Sequence, residues 1–173
     1  ITGGTFNPKG IDVEKLAEHS KTNSPLGQYS KGEAITNDQL LSLPVDILIP
    51  AAKGGVITSD IADQVQASTI LEAANSPITK EAEDILENNN VTILPDILVN
   101  SGGVIVSYFE WAQNIQEFRW EEERIERELL HRISKGFTDV WESSVESKST
   151  LRNAAFRLSV EKVARAALLR GFV

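Results

Sequence analysis

Three short aliphatic segments constrain the fold of this chain more than any other feature of its sequence. They span residues 45–49, 69–73 and 91–94. All three are rich in β-branched and aliphatic side chains with little polar alternation, which is typical of strands buried on both faces. Helical patterns separate them: one covers residues 59–65, and the other follows Thr79, whose side chain can cap a helix that reaches Asn88. This order predicts a parallel sheet built from βαβ units.

Ahead of the sheet, the pattern predicts short helices joined by a loop. Residues 12–19 fit a short helix, and residues 22–32 form a connection rich in proline, glycine and serine. Asn37 or Thr36 is expected to cap another helical turn. No strand is predicted in this part of the chain.

Long helices are predicted after Pro95. The first runs from Asn100 to about Gln116, and the second opens with three glutamates at residues 121–123, whose charges suit a helix N-terminus. Apolar residues then recur three or four positions apart along the second helix, which gives it one packing face. These residues are Ile125, Leu129, Ile133, Phe137 and Val140 or Trp141.

A polar gap over residues 143–149 is expected to separate this helix from a last, alanine-rich one. Thr150 can cap the last helix, and Gly171 stands where a left-handed C-terminal cap would fall. The predicted fold class is therefore α/β, a parallel sheet followed by long C-terminal helices.

Composition and charge exclude several classes of partner. The net charge of −8 repels phosphate backbones and anionic lipid headgroups, so neither nucleic acid nor a membrane is expected. The absence of cysteine excludes disulfides and zinc–thiolate sites, and the cytoplasm is the default compartment. His19 and His131 have no partner at metal-ligand spacing, so no metal is predicted. Because the sequence begins at isoleucine and contains no methionine, we expect it to be part of a longer protein.

The loops that follow the three predicted strands are rich in small residues and asparagine. They contain residues 50–55, 73–77 and 95–103. In an open parallel sheet ligands bind outside the carboxyl ends of the strands. Small residues let a flat ligand approach the backbone, and asparagine amides can meet an amide or a ribose hydroxyl. The loops predict a nucleotide-like ligand, although simple turns are the alternative for any one of them.

One stripe of the first long helix extends this candidate site. Asn100, Val104, Ser107 and Trp111 are spaced by four, three and four residues, so they share a face if the helix begins near Asn100. The Ser107 hydroxyl could donate a hydrogen bond to a carboxylate. Core packing is the alternative for a stripe that contains valine and tryptophan. Trp111, Phe118, Trp120 and Trp141 are expected to be packing residues, and contact of some of them with a further domain is the alternative.

Residues 95–111 resemble the segment of glutamate dehydrogenases that closes the amino-acid side-chain pocket. Other parts of the chain resemble that family in the same order, at residues 7–12, 48–58, 72–75 and 152–156. The resemblance implies that Val104 and Ser107 line the substrate pocket, with the Ser107 hydroxyl meeting the γ-carboxylate of glutamate. The cofactor-binding residues that it implies are Ala51, Ala52, Asn75 and Asn100.

The resemblance also implies an activity: oxidative deamination of L-glutamate to 2-oxoglutarate and ammonia, with NAD or NADP as cofactor, in a homo-oligomer. In the family the catalytic lysine and aspartate come from a separate N-terminal substrate domain, and the glycine-rich fingerprint lies upstream of the matching segment. We therefore assign no catalytic residue and expect the chain alone to be inactive. Residues 1–98 would form a truncated Rossmann-like dinucleotide-binding region without its first βα unit, and residues 99–173 a helical section packed on it in one structural domain.

Two departures from the family pattern fall in the candidate cofactor loops. Ser76 stands where the family usually has glycine, and Lys53 to Gly55 replace a glutamate–asparagine pair. These departures put the cofactor geometry implied by the resemblance in question. One alternative to the enzyme is a non-catalytic regulatory or scaffolding module that retains the fold and has lost the glycine-rich fingerprint. A second is a branched-chain or aromatic amino-acid dehydrogenase, which Ser107 and the run over residues 108–111 disfavour.

Overall fold

The computed structural model describes residues 3–171. Ile1 and Thr2, with which the sequence begins, and the last two residues of the expected helical section, 172 and 173, lie outside the described residues.

The N-terminal part contains a pair of antiparallel strands that the sequence did not predict. Its elements are β1 (Gly4–Phe6), α1 (Val13–Lys21), a 3₁₀ turn (Leu26–Gln28), β2 (Glu33–Ile35) and α2 (Asn37–Leu41). β1 and β2 pair with each other, with Thr5 opposite Ala34. Each strand has three residues, too few for an alternating pattern to be recognised.

Both short helices in this part begin at the expected polar residues. The Asp12 side chain accepts a hydrogen bond from the Lys15 N–H at the start of α1. Thr36, rather than Asn37, caps α2, and it forms a capping box with Gln39 in which each side chain bonds the backbone of the other.

The three predicted strands form a parallel sheet. Its strands and the helices between them are β3 (Ile47–Leu48), α3 (Ser59–Ala62), β4 (Thr69–Leu71), α4 (Lys80–Asn88) and β5 (Thr92–Leu94). The spatial order is β3-β4-β5, with Ile70 opposite both Leu48 and Ile93. The strands and α3 are shorter than predicted, whereas α4 begins after the predicted cap, because the Thr79 hydroxyl accepts from the Ala82 N–H.

A first hydrophobic core joins this sheet to α3 and α4. Ile57, Ile70, Ala82 and Leu86 have no solvent-accessible surface and pack in one cluster. Burial of this apolar surface fixes the sheet against the two helices and leaves the carboxyl ends of the strands at an open edge.

Four helices follow the sheet. They are α5 (Asp96–Val99), α6 (Gly102–Gln116), α7 (Glu122–Ser147) and α8 (Leu151–Leu169). The prediction of one helix from Asn100 is wrong by two residues, because Asn100 ends α5 and α6 begins after Ser101. The predicted caps of α8 are confirmed: the Thr150 hydroxyl accepts from the Asn153 N–H, and Gly171 has a φ of +72°.

The predicted gap over residues 143–149 is wrong for most of its length, because α7 continues to Ser147. Serine hydroxyls satisfy the backbone there. Ser147 Oγ donates to the Ser143 carbonyl at 2.6 Å, and Ser144 Oγ donates to the Ser149 carbonyl at 2.6 Å. Lys148, with a φ of +51°, then ends the helix.

A second core packs α5, α7 and α8 together. Leu98, Val140, Leu151, Ala154 and Ala155 form it, and Leu94 of β5 packs against it. This contact attaches the helical part to the sheet.

The aromatic residues of the helical part are divided between core and surface. Phe109 is 1% exposed, and its ring centroid lies 5.3 Å from that of Trp120. Trp111, Phe118 and Trp141 are exposed, so packing inside this chain is wrong for these three, whereas contact with a further domain stays a prediction. Hydrophobic side chains at helical spacing show that a helix has an apolar face, but they do not tell which neighbour covers it.

Candidate functional site

A cleft of about 670 Å³ lies at the carboxyl ends of the three parallel strands. All six residues singled out in the sequence line it: Ala51, Ala52, Asn75, Asn100, Val104 and Ser107. The remaining lining comes from Lys53 and from the small residues Gly54, Ala73, Ala74 and Gly103. Residues up to 56 positions apart in the sequence (51 to 107) therefore meet at one edge of the sheet.

Two asparagine side chains are joined at the centre of the lining. Asn100 Nδ2 donates to Asn75 Oδ1 at 2.7 Å, although the two residues are 25 positions apart. Asn75 lies in the loop after β4, and Asn100 ends α5. Within residues 3–171 the bond leaves Asn75 Nδ2 and Asn100 Oδ1 without a partner, so the pair can offer an amide donor group and a carbonyl acceptor to a ligand.

Glycine is required where the first two loops meet. A Cβ atom on Gly54 would lie 2.7 Å from the Asn75 carbonyl oxygen, closer than side chains and backbone normally approach. The Gly55 N–H donates to the Ser76 carbonyl at 2.8 Å, and the Ala74 N–H donates to that of Pro50 at 2.8 Å. The departure at residues 53–55 therefore has a structural role, since it lets the loops after β3 and β4 lie against each other.

The N-terminal turn of α6 closes the other side of the cleft. Gly103, Val104 and Ser107 face the cleft, and Val104 is 75% exposed. Core packing of this stripe, the alternative to a binding face, is therefore wrong within this chain. Ser101 Oγ donates to the Leu98 carbonyl instead of capping α6, so the first N–H groups of the helix have no side-chain cap.

Behind the cleft lies a charge cluster that the sequence reasoning missed. Arg152 Nη2 donates to Glu72 Oε2 at 2.7 Å, and Arg152 Nη1 donates to Asp96 Oδ1 at 3.2 Å. Arg152 Nε also bonds Glu83 Oε1. The Glu72 side chain has no exposed surface, and its Oε2 accepts a further bond from the Asp96 N–H at 2.9 Å.

Burial raises the pKa of the Glu72 carboxyl, and the bonds from the Asp96 N–H and from Arg152 offset this only in part. Glu72 Oε1 is buried without a partner among the described residues. One sequence signal could have revealed the cluster. Glu72 is a carboxylate inside an apolar strand segment, and a buried carboxylate needs a cation.

Residues 3–171 offer neither a cluster of metal ligands nor a membrane-spanning helix. Within that range, no group of three or more histidine, aspartate or glutamate side chains is arranged to hold a metal ion. None of its helices combines the length and the apolarity needed to cross a membrane.

A model of the Glutamate/Leucine/Phenylalanine/Valine dehydrogenase family matches residues 1–171. The chain belongs to this family. A curated family member, the glutamate dehydrogenase of Thermotoga maritima, is 44% identical over 170 residues, which make up 98% of this chain and 41% of that protein. The chain thus spans about two-fifths of the length of the curated relative.

Solved structures of the family share the fold. The chain is similar to the hetero-hexameric glutamate dehydrogenase of Thermus thermophilus in its leucine-bound form, with a TM-score of 0.90 and 28% identity over 98% of this chain and 40% of the other. It is also similar to the glutamate dehydrogenase of Peptoniphilus asaccharolyticus, with a TM-score of 0.78 and 31% identity over 97% and 37% of the two chains. The predicted family and the predicted α/β fold are therefore confirmed.

Proposed function

We propose that this chain is the dinucleotide-binding part of an NAD(P)-dependent dehydrogenase that converts L-glutamate to 2-oxoglutarate and ammonia. One observation carries the proposal: the six residues assigned by resemblance converge on a single cleft at the carboxyl ends of the strands. The 44% identity to a glutamate dehydrogenase supports glutamate over other amino acids of the family's range.

The lining of the cleft fits a nicotinamide ring and its ribose. Ala51, Ala52 and Gly54 present backbone without bulky side chains, so a flat ring can approach closely. The spare amide donor of Asn75 and the spare carbonyl of Asn100 suit ribose hydroxyls and a carboxamide. When bound, NAD or NADP supplies a hydride acceptor.

The substrate side of the cleft is assigned to α6. Val104 would contact the aliphatic part of glutamate, and the Ser107 hydroxyl would donate to its γ-carboxylate. Both side chains are exposed in the cleft, as a binding role requires. No residue of this chain is assigned to proton transfer, which is expected from a separate substrate domain.

We further propose an organisation and a setting for the protein. Residues 1–98 form the dinucleotide-binding region, and residues 99–173 form the helical section of the same structural domain. The hetero-hexameric assembly of the Thermus thermophilus relative supports an oligomer, which we expect to be a homo-oligomer. The cytoplasm is the expected location.

Ser107→Ala in the full native chain tests the substrate assignment. Removing one hydrogen bond to a charged group should lower kcat/KM for glutamate about tenfold, while the Kd for the dinucleotide stays constant. Ser134→Ala is the matched control, since Ser134 is exposed on α7 and outside the cleft. Steady-state reduction of NAD and of NADP gives the readout and identifies the preferred cofactor.

Three results would contradict parts of this proposal. An unchanged kcat/KM in Ser107→Ala would remove the γ-carboxylate contact. A native protein that prefers leucine, phenylalanine or valine would replace the substrate. A native protein that reduces neither NAD nor NADP with any of these amino acids would favour a non-catalytic module.

A further inference from the structure

Asp96 connects the buried charge cluster to the wall of the cleft. Its Oδ1 accepts from Arg152, and its Oδ2 accepts from the Ser76 N–H at 2.8 Å. The Asp96 side chain is only 17% exposed, and its contact with Arg152 is partly buried. One carboxylate therefore pairs with a cation of α8 and holds the backbone of the loop after β4.

The loop after β4 contains a strained residue, which the bond to Asp96 stabilises. Ser76 has a φ of +45°, in the left-handed region that is unfavourable for a residue with a Cβ atom. The Gly55 N–H donates to the Ser76 carbonyl, and Asp96 accepts from the Ser76 N–H, so the strained residue is held from both sides.

Helix α5 contacts the Asn75–Ser76 segment at two points. Asp96, at its first residue, holds the Ser76 backbone, and Asn100, at its end, holds the Asn75 side chain. The helix has only four residues, so the contact of Asp96 with Ser76 and the contact of Asn100 with Asn75 are fixed relative to each other. The position of α5 then decides where the amide pair lies in the cleft.

We propose that Arg152 is a positioning residue for the cleft, which through its ion pair with Asp96 places α5 and hence the Asn75–Asn100 amide pair. Arg152 does not line the cleft, and it reaches α5 through Asp96, both directly and through Glu72, whose Oε2 accepts from the Asp96 N–H. Its link to cofactor affinity rests on the proposed function, whereas its hold on the Ser76 N–H is a property of this chain alone.

Arg152→Lys in the full native chain tests the proposal. Lysine keeps the positive charge, but a single ammonium group cannot reproduce the planar fork that meets three carboxylates. Arg157→Lys is the matched control on the same helix, because Arg157 donates to Ser143 and does not touch the cluster. Asp96→Asn provides a second variant that keeps the side-chain shape and removes the charge that pairs with Arg152.

Two measurements are made on each variant. Hydrogen exchange of peptides covering residues 73–77 should quicken about tenfold in Arg152→Lys and in Asp96→Asn, while peptides covering buried α4 stay unchanged. The Kd for NAD or NADP should rise about tenfold, with a smaller change in kcat at saturating cofactor. Arg157→Lys should match the wild type in both.

Each outcome of these measurements supports or overturns one part of the proposal. Unchanged exchange at residues 73–77 in the folded variants overturns the positioning role. Faster exchange with an unchanged Kd overturns the link to the cofactor. Faster exchange in a native protein that binds neither NAD nor NADP supports the positioning of the loop and overturns the proposed function. If Arg152→Lys does not fold, the same comparison is made with Asp96→Asn.

Discussion

The cleft and the charge cluster behind it use polar side chains in opposite ways. Asn75 is exposed and keeps a free amide donor, whereas Glu72, three residues earlier, is fully buried and bound to Arg152. Exposed groups with spare hydrogen bonds can bind a ligand, while buried charges must be paired within the protein. The difference shows that neighbouring residues of one loop can belong to the site and to its support.

The largest effect that would test this contrast is expected from Arg152→Met. The change leaves the buried Glu72 without its cation, so the free energy of unfolding should fall by about 3–5 kcal/mol. Arg157→Met removes bonds from the exposed Arg157 to the buried but uncharged Ser143 and should cost about 1–2 kcal/mol. Urea denaturation of the full native chain measures both. Equal losses would mean that the cluster is no more important for stability than a contact with an uncharged residue.

A smaller effect is expected at Gly54, which lines the cleft, and at its neighbour Gly55, which does not. Gly54→Ala places a Cβ atom against the Asn75 carbonyl, so it should cost about 1–3 kcal/mol and also weaken dinucleotide binding. Gly55→Ala meets open space but has a φ of +63°, so it should cost about 1–2 kcal/mol and leave binding unchanged. Urea denaturation measures the stability of the two variants, and titration with the dinucleotide measures their binding. Wild-type binding by Gly54→Ala would show that the two loops are not in close contact.

The smallest effect concerns the pH dependence of stability. Because the folded-state pKa of Glu72 is raised above its usual 4.5, the native state holds a proton that the unfolded state releases. This contribution is present below pH 4.5 and is lost as the pH rises through the folded-state pKa. Relative to the wild type, Glu72→Gln should therefore gain stability as the pH rises from 4.5.

Denaturation at several pH values measures this gain. Glu161→Gln, on the exposed surface of α8, is the matched control for removing one carboxylate. If Glu72→Gln instead loses stability relative to the wild type as the pH rises from 4.5, the raised pKa of Glu72 is contradicted.

Much of the local structure could be predicted because its signals are local. Thr79 and Thr150 each accept from an N–H three residues along the chain, and Gly171 adopts the left-handed conformation expected of a C-terminal cap. The parallel sheet followed from apolar segments that alternate with helices. The convergence of the six cleft residues followed from the same topology, since the ends of parallel strands meet at one edge.

Other features required the folded chain. The strands β1 and β2 exist only because each pairs with the other, 29 residues away (Thr5 and Ala34). The break between α5 and α6 depends on contacts of Asn100 and Ser101 that a helical pattern does not contain.

The sequence by itself determined the parallel strands, most of the helices, their order and the edge at which a ligand can bind, because hydrogen bonds between near neighbours and the period of apolar residues govern these. Only the tertiary structure decided which charges are buried and what they support. Arg152 reaches Glu72 across 80 residues and Asp96 across 56, and it does so because α5, α7 and α8 bury a common core that attaches to β5. Such an ion pair has no local pattern, since its energy depends on the removal of water by elements far apart in the chain.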